Sequence, residues 1–374
     1  MEFEVLDLSD PDKCGQWNAF VQWYPTRGHH HHTDYLKAIL DAYPHHQHWS
    51  LVAKRHNDIV GVLPLIGMKN RIFGNNLVSI PYYNYGGALA IGEEIELALY
   101  EKAQSIAQLH GYRKLQIRAD KPLPAPLAAE RWQCLSHKAN MHLTLPENMH
   151  DIGHGNAKKR AKLRSQAGLA ARRAAEANIE IKQRFGGGEL LDDFYQVFSR
   201  HMRDLGTPVF GKDFFRAILA NTNSELTVTY WGDEPVGCGW LFQHGANRFS
   251  IPWASTLKRM NSTSLNTYMY HQILLHCHGK KSDVADEIIF DFGRSTIDAG
   301  TYHFKAQWGA TPAPCFWYEW NANGADQAEN ETSPPSSHTT EQQGVMGLMV
   351  KVWKKMPLVL TNTLGPHLIK NIPA

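Results

Sequence analysis

Apolar and polar positions alternate over residues 2–7 (EFEVLD), which predicts a strand. Pro11 behind Ser9-Asp10 opens a predicted helix over 11–24, and a second helix covers about 33–43 and stops at Pro44. Strands follow at 49–55 and 58–68 around the turn His56-Asn57. A strand over 76–81 runs into Tyr82-Tyr83-Asn84-Tyr85-Gly86-Gly87. A helix over 93–110, a strand over 113–119 and a strand near 139–145 complete the first half. The second half reads as a strand over 178–185, then helices over 189–206 and 212–221. Strands over 225–231, 235–243 and 248–255, a helix over 262–279, a strand over 287–293 and a last strand near 314–320 follow. Both halves give one order: strand, two helices, three strands, helix, strand, connecting region, strand. Val60-Gly61-Val62 also sits in its strand as Val236-Gly237-Cys238 sits in its own. The pattern predicts a mixed α/β (α+β) chain made by internal duplication, each half being the size of one domain.

The expected boundaries are 1–150 and 151–320, with a basic helix over 155–178 opening the second domain. Residues 321–343 are polar and carry Pro-Pro and serines, which predicts a flexible linker. Residues 344–374 are apolar, hold Lys351, Lys354, Lys355 and Lys370, and contain no acid. That composition fits an amphipathic segment in peripheral contact with an anionic membrane surface, anchored by Trp353 and Leu358, and equally a tail that docks back on the body.

The net charge of +2 leaves no global nucleic-acid footprint, so contact with a polyanion has to come from local asymmetry. Such asymmetry exists in the basic stretch. Lys158, Lys159, Arg160, Lys162, Arg164, Arg172 and Arg173 precede the first acid, Glu176. Leu163, Ala167, Ala170 and Ala174 give the same helix one small-residue face. It reads either as a solvated basic helix or as a phosphate-binding one, with 158–173 meeting a polyanion such as tRNA or a lipid pyrophosphate. Five widely spaced cysteines with no CxxC predict buried thiols in a reducing compartment. An acidic, alternating start and the lack of a membrane-length apolar run predict a cytoplasmic protein, at most at the inner face of the membrane. The histidine-rich stretch 29–48 lacks acid or thiol partners at ligand spacing, so a solvated loop is expected there and no metal.

The candidate chemistry lies in DFGRSTIDAGTYHFKAQWGA, residues 291–310. A buried strand leads into it, Gly293 is expected to break that strand, and a helical stretch follows. Charged and aromatic side chains at a strand end suit a site on a rigid scaffold. Asp291 is a candidate base or ammonium holder, or else an ion-pair partner of Arg294. Arg294 and Arg164 are candidate phosphate ligands. No Ser-His-Asp or Cys-His ordering stands out, so direct transfer without a covalent enzyme intermediate is expected of any group-transfer reaction.

Five stretches in order, SIPYYNYGG (79–87), KLRSQAGLAARRA (162–174), RHMRDLGTPVFGKDFF (200–215), FDFGRST (290–296) and YHFKAQWGA (302–310), resemble the FemAB-like proteins. The likeness is greatest to the branch associated with PEP-CTERM/exosortase systems, also described as BioF2-like acetyltransferase domains, and it covers about residues 1–320. The resemblance implies tandem duplicated GNAT-like acyltransferase domains, whose substrates meet where the fourth and fifth strands splay apart. That placement picks out Tyr82–Gly87 and Arg118 in the first half. In the second half it picks out Trp253, Ser255, Asp291 and Arg294. The family's Phe-Lys pair aligns with Phe304-Lys305, which implies an oxyanion or phosphate contact for Lys305. Ser295, Tyr302 and Phe304 would line the substrate, and Tyr82, Asn84 and Tyr85 would form a polar-aromatic wall for the acceptor or pack in the core.

The implied reaction is transfer of an aminoacyl or acyl group to an amine of a cell-envelope precursor, related to peptidoglycan or exopolysaccharide. The donor, aminoacyl-tRNA or acyl-CoA, would be a co-substrate, with no tightly bound cofactor. An ordinary acyl-CoA-dependent N-acyltransferase and a non-catalytic binding module on the same fold are the alternatives. Where CoA-using relatives carry a glycine-rich loop, this chain reads STLKRMNSTSLN (255–266), with no glycine. The helix N-terminus expected at Ser262-Thr263, with Lys258 and Arg259 nearby, is the remaining anion site there.

Overall fold

In the computed structural model the alternating segments become mixed sheets covered by helices. It describes residues 1–24, 29–70, 74–124, 127, 132–135, 137–281, 287–322 and 340–372. The chain divides into two compact units. One comprises 1–137, 314–348 and 367–374, the other 138–313 and 349–366.

In the first unit the expected strand 58–68 is two strands. Asp58–Leu63 pairs with Leu51–Arg55 in a four-stranded sheet, and Ile66–Asn70 joins a six-stranded one. Pro64 stands between them and has no N–H to continue a ladder. The six-stranded sheet runs Gln47–His48, Ile66–Asn70, Gly74–Val78, Lys114–Ala119, Phe316–Asn321, Trp132–Leu135. Helix Glu93–Leu109 covers the core with Ile95, Leu99, Tyr100 and Ala103, all fully buried against Leu77, Leu115 and Ile117.

The second unit holds one seven-stranded sheet. Its order is Ile181–Gly186, Ser224–Trp231, Glu234–His244, Arg248–Thr256, Ile289–Thr296, Lys138–Thr144, Thr311–Pro314. Helix Leu191–Leu205 stops at Gly206, whose left-handed φ of 83° a side chain would disfavour. Helix Leu265–Gly279 forms the crossover that makes Arg248–Thr256 and Ile289–Thr296 parallel neighbours. The expected single basic helix is two, Ala157–Ala167 and Leu169–Glu176, meeting at Gly168. Its small-residue face is buried as the spacing indicates: Leu163, Ala167, Ala170 and Ala174 are each at most 4% exposed.

Each half hands its last strand to the other unit's sheet. Lys138–Thr144, from the end of the first half, pairs antiparallel with Ile289–Thr296. Phe316–Asn321, from the end of the second, pairs antiparallel with Lys114–Ala119. The units therefore break at 137/138 and 313/314, and the boundaries expected at 150 and 320 lie beyond both junctions. The expected linker 321–343 lies mostly outside the described residues, and helix Thr340–Lys355 occupies its last positions.

Candidate active site

The second unit's central pair of strands forks. Arg248–Thr256 and Ile289–Thr296 are in parallel register only at Arg248↔Ile289, Phe249↔Phe290 and Ser250↔Asp291. Beyond Asp291 they part. Phe249, Ile251, Phe290 and Phe292 face the core beneath helix Leu265–Gly279. Strand alternation therefore puts Ser250 and Asp291 on the opposite face, at the fork.

Asp291 is 2% exposed, and its carboxylate is held from several sides. Oδ1 accepts from the Gly293 N–H at 2.7 Å, and Oδ2 accepts from Asn140 Nδ2 at 3.2 Å. His142 Nε2 lies 3.5 Å from Oδ2, a charge contact whenever the ring is protonated. Nearby, His244 Nε2 meets Ser250 Oγ at 2.8 Å. The strand does not break at Gly293 as expected. It continues to Thr296, and Gly293 takes a left-handed φ of 76° inside it. That kink turns the Gly293 carbonyl toward helix Gly300–Ala306, where Lys305 Nζ donates to it at 3.0 Å and to the Arg294 carbonyl at 3.1 Å. Lys305 is itself only 8% exposed. Asp291 and Lys305 thus grip the two sides of one residue's backbone, the N–H and the carbonyl of Gly293.

The other expected residues divide by environment. Ser255 and Ser295 are buried, and among the described residues neither Oγ has a hydrogen-bond partner. Trp253 lies in an aromatic cluster with Phe210, Phe214, Phe215 and Trp240, at ring distances of 6.0, 5.6, 5.4 and 5.8 Å. It is a buried core aromatic rather than one that offers its face to solvent. Phe304 and Tyr302 pack against the helix-side core, with Phe304 5.3 Å from the Tyr270 ring. Arg294 is half-buried. Arg164 Nη1 donates to the His150 carbonyl at 2.5 Å, so this guanidinium braces the entry to the basic helix. Lys158, Lys159, Lys162, Arg172 and Arg173 are exposed.

The CoA-loop position shows two differences from expectation. The helix begins at Leu265 rather than Ser262-Thr263, behind a short 3-10 turn Lys258–Thr263, and Ser264 takes the left-handed conformation at φ 56°. Arg259 is ion-paired with Glu234 at 2.5 Å. Neither a run of small residues nor this arginine is there to receive a pyrophosphate.

In the first unit the corresponding fork is filled by its own loop. Gly74–Val78 and Lys114–Ala119 pair in parallel up to Val78↔Gln116, and Gly86 N–H then donates to the Arg118 carbonyl at 2.8 Å. Arg118 is fully buried. Its Nη1 donates to the Tyr83 carbonyl at 2.5 Å, its Nε to Gln116 Oε1 at 3.0 Å, and its guanidinium lies 4.0 Å from the Trp317 ring centre. Trp317 Nε1 donates to the Asn84 carbonyl at 3.0 Å. Tyr82 and Tyr85 are buried, and Tyr82 Oη donates to the Lys370 carbonyl at 2.9 Å. Close approach explains Gly86-Gly87: a Cβ at Gly86 would sit 2.9 Å from the Ser79 oxygen, and one at Gly87 3.1 Å from Ala119 Cα. The Tyr-rich motif packs in the core, the second of the two readings of these residues.

The histidine-rich stretch packs under the same loop, not in solvent. His31 Nε2 meets the Gly87 carbonyl at 2.6 Å and His46 Nε2 meets Tyr82 Oη at 3.0 Å. Burial pushes the His46 imidazole down to about 3 and that of His48 to about 4. These rings stay neutral and serve as polar core.

Sequence reasoning missed Asn140, His142, Ser250 and His244. Asn140 and His142 belong by chain order to the first half, and only the exchanged strand brings them to Asp291. No local signal marks them.

Comparison with known proteins agrees with this geometry. Residues 157–306 match the model of the acetyltransferase (GNAT) domain family. These residues form a GNAT-type domain, and solved structures share the fold over most of the chain. The solved structure of FemX matches with a TM-score of 0.58 at 12% identity, covering 86% of this chain and 97% of FemX. A tandem GNAT protein from the clavulanic acid biosynthesis pathway matches at TM-score 0.54 and 12% identity, over 86% of this chain and 98% of that one. A C-terminal domain assigned to a putative lysylphosphatidylglycerol synthetase from Agrobacterium fabrum matches at TM-score 0.54 and 12% identity, over 86% and 94%. No curated protein matched the sequence. The fold is therefore a tandem duplication of GNAT-like domains.

Proposed function

We propose that the second unit transfers an aminoacyl or acyl group from an activated donor to an amine of a cell-envelope precursor. The observation that carries this reading is the Asp291–Gly293–Lys305 arrangement at the open end of the strand fork. An incoming ammonium is attracted by Asp291 and gives up a proton to it. The free amine then attacks the donor carbonyl, forming the C–N bond. Negative charge builds on the carbonyl oxygen, and the buried Lys305 cation stabilises it in a low dielectric. The C–O bond of an aminoacyl ester, or the C–S bond of a thioester, breaks as the oxyanion collapses. The proton held on Asp291 passes to the leaving oxygen or sulfur, and the freed carboxylate takes the second proton from the attacking nitrogen and releases it to solvent, leaving a neutral amide. Asn140 and the Gly293 N–H keep the carboxylate oriented throughout.

Direct attack is supported by the state of two candidate nucleophiles of this unit, and Ser250→Ala, which removes the hydroxyl that His244 Nε2 meets at 2.8 Å, is expected to leave transfer intact. Ser255 Oγ has no base on it, and burial pushes the Cys238 thiol well above its ordinary range. An aminoacyl-tRNA donor is favoured over acyl-CoA by the exposed cations of 158–173 and by the glycine-free turn with its paired Arg259. The FemX-like fold and the synthetase assignment of the Agrobacterium fabrum domain support an envelope acceptor.

The test is binding of purified protein to labelled aminoacyl-tRNA and to acetyl-CoA side by side across a salt series, followed by transfer assays with Asp291→Asn. Salt-sensitive tRNA binding, weakened when Lys158, Lys159 and Lys162 become Gln, is the expected result. CoA binding alone would move the enzyme to the acyl-CoA class. Full turnover by Asp291→Asn would remove the carboxylate from the mechanism.

A further inference from the structure

The C-terminal helices have two unlike faces. Thr361 and Gly365 face inward: Thr361 is 1% exposed, and a Cβ at Gly365 would lie 2.9 Å from the Val209 nitrogen. Asn362 Nδ2 donates to Ser199 Oγ at 3.3 Å, and a Cβ at Gly206 would come within 2.5 Å of Val350 Cγ1. The segment is thus seated on the loop Gly206–Gly211 of the second unit. The outer face is apolar. Met349, Val352, Val359, Leu360 and Leu364 are between 44% and 76% exposed. In Leu358–Ile369 the exposed Val359, Leu360 and Leu364 recur at helical spacing opposite Thr361 and Gly365. Trp353 and Leu358, the anchors suggested by composition, are only half exposed, and the Trp353 Nε1 is buried.

Charge decides what fits this face. Lys351 and Lys355 are exposed beside it, Lys354 is exposed with its stem passing Gly206, and no acid occurs in 344–374. A second copy packed on it about a two-fold axis would bring these lysines against their own equivalents. Among the described residues no helix is long and apolar enough to cross a membrane. An apolar stripe with flanking lysines on a helix too short to span is the pattern of a segment lying in a bilayer interface.

We propose that this outer face rests on an anionic bilayer. Met349, Val352, Val359, Leu360 and Leu364 enter the boundary between headgroups and acyl chains, and Lys351, Lys354 and Lys355 lie among the lipid phosphates. The proposal concerns the bilayer alone and stands or falls independently of the transfer reaction.

The experiment is co-sedimentation of the full chain with phosphatidylcholine vesicles, with and without about one third phosphatidylglycerol, at about 0.1 M and about 0.5 M salt. Binding is expected on the mixed vesicles, falling with salt, and weak on the neutral ones. Two variants, Lys351→Gln/Lys354→Gln/Lys355→Gln and Val359→Asp/Leu360→Asp, change only exposed side chains and are expected to keep the wild-type melting curve. Each is expected to bind at least about tenfold less well. Binding to neither vesicle, equal binding to both, or unchanged binding by the two variants would overturn the proposal. So would a wild-type dimer that Val359→Asp/Leu360→Asp converts to monomer, because it would assign the face to a second copy.

Discussion

At Gly293 both sides of a single residue's backbone are in use, its N–H by Asp291 and its carbonyl by Lys305. A Cβ there would meet the Ile251 carbonyl oxygen at 3.5 Å, ordinary contact, so space is not what excludes a side chain. The left-handed φ of 76° is. Gly293→Ala is expected to cost on the order of 1–2 kcal/mol in stability and to lower turnover more than binding, read by thermal melting and a kcat/KM split. Lys305→Met would strip the Gly293 and Arg294 carbonyls of a buried donor, at about 1–3 kcal/mol, so its activity has to be compared at a temperature where it remains folded. The buried histidines give a pH signature. The folded pKa values of His46 and His48 lie below the unfolded value of about 6.5, so the unfolded chain binds more protons as pH falls. Their contribution is fully present above about pH 6.5 and is lost progressively toward pH 4, by up to about 1.4 kcal/mol per pH unit for each ring. Denaturant melts from pH 7 to pH 4 would show it, and His46→Gln would flatten the slope.

Elements explain which parts of the site were readable. Asp291, Gly293 and Lys305 lie within one short stretch of chain, on a strand and the helix after it, so a local motif exposes them. Asn140 and His142 sit on a strand whose own sequence says nothing about which sheet will take it. The loop 79–87 was visible as a motif, but its role depended on a partner far along the chain. Arg118 could be a ligand or a strut, and only the stacked Trp317 and the Tyr83 carbonyl decide for the strut. Arg118→Met is expected to destabilise the first unit by on the order of 3 kcal/mol, since it removes a buried charge-assisted network and leaves carbonyls unpaired. Hydrogen exchange should show early opening of 79–87 and leave the strand pair Ile181–Gly186 and Ser224–Trp231 unaffected. Exchange confined to the second unit would contradict the strut. Helix lengths and the strand order within each half were legible because burial follows their periodicity. The split of 58–68 at Pro64 and of the basic helix at Gly168 follow from backbone chemistry that periodicity alone does not weigh.

For the whole molecule the exchanged strands matter most. Lys138–Thr144 lies between Ile289–Thr296 and Thr311–Pro314, and Phe316–Asn321 lies between Lys114–Ala119 and Trp132–Leu135. Both are interior strands, so removing either one opens two hydrogen-bonding edges in its sheet. A cut at the boundary that the internal repeat suggests, giving residues 1–150 and 151–320, deprives each piece of an interior strand. The second piece also loses Asn140 and His142, the partners that hold Asp291. Each fragment expressed alone is therefore expected to be unfolded or to aggregate, whereas the two co-expressed should recover soluble material by supplying each other's strand. The intact chain should melt in one calorimetric transition, because neither sheet is complete without the other half's segment. Independent, cooperative melting of residues 1–150 alone would show that Phe316–Asn321 is dispensable, and duplication would then suffice without exchange. If instead only the pair folds, the site at Asp291 is a product of both halves of the gene, and a GNAT-like copy whose own fork is filled is retained because it supplies the strand that completes the other.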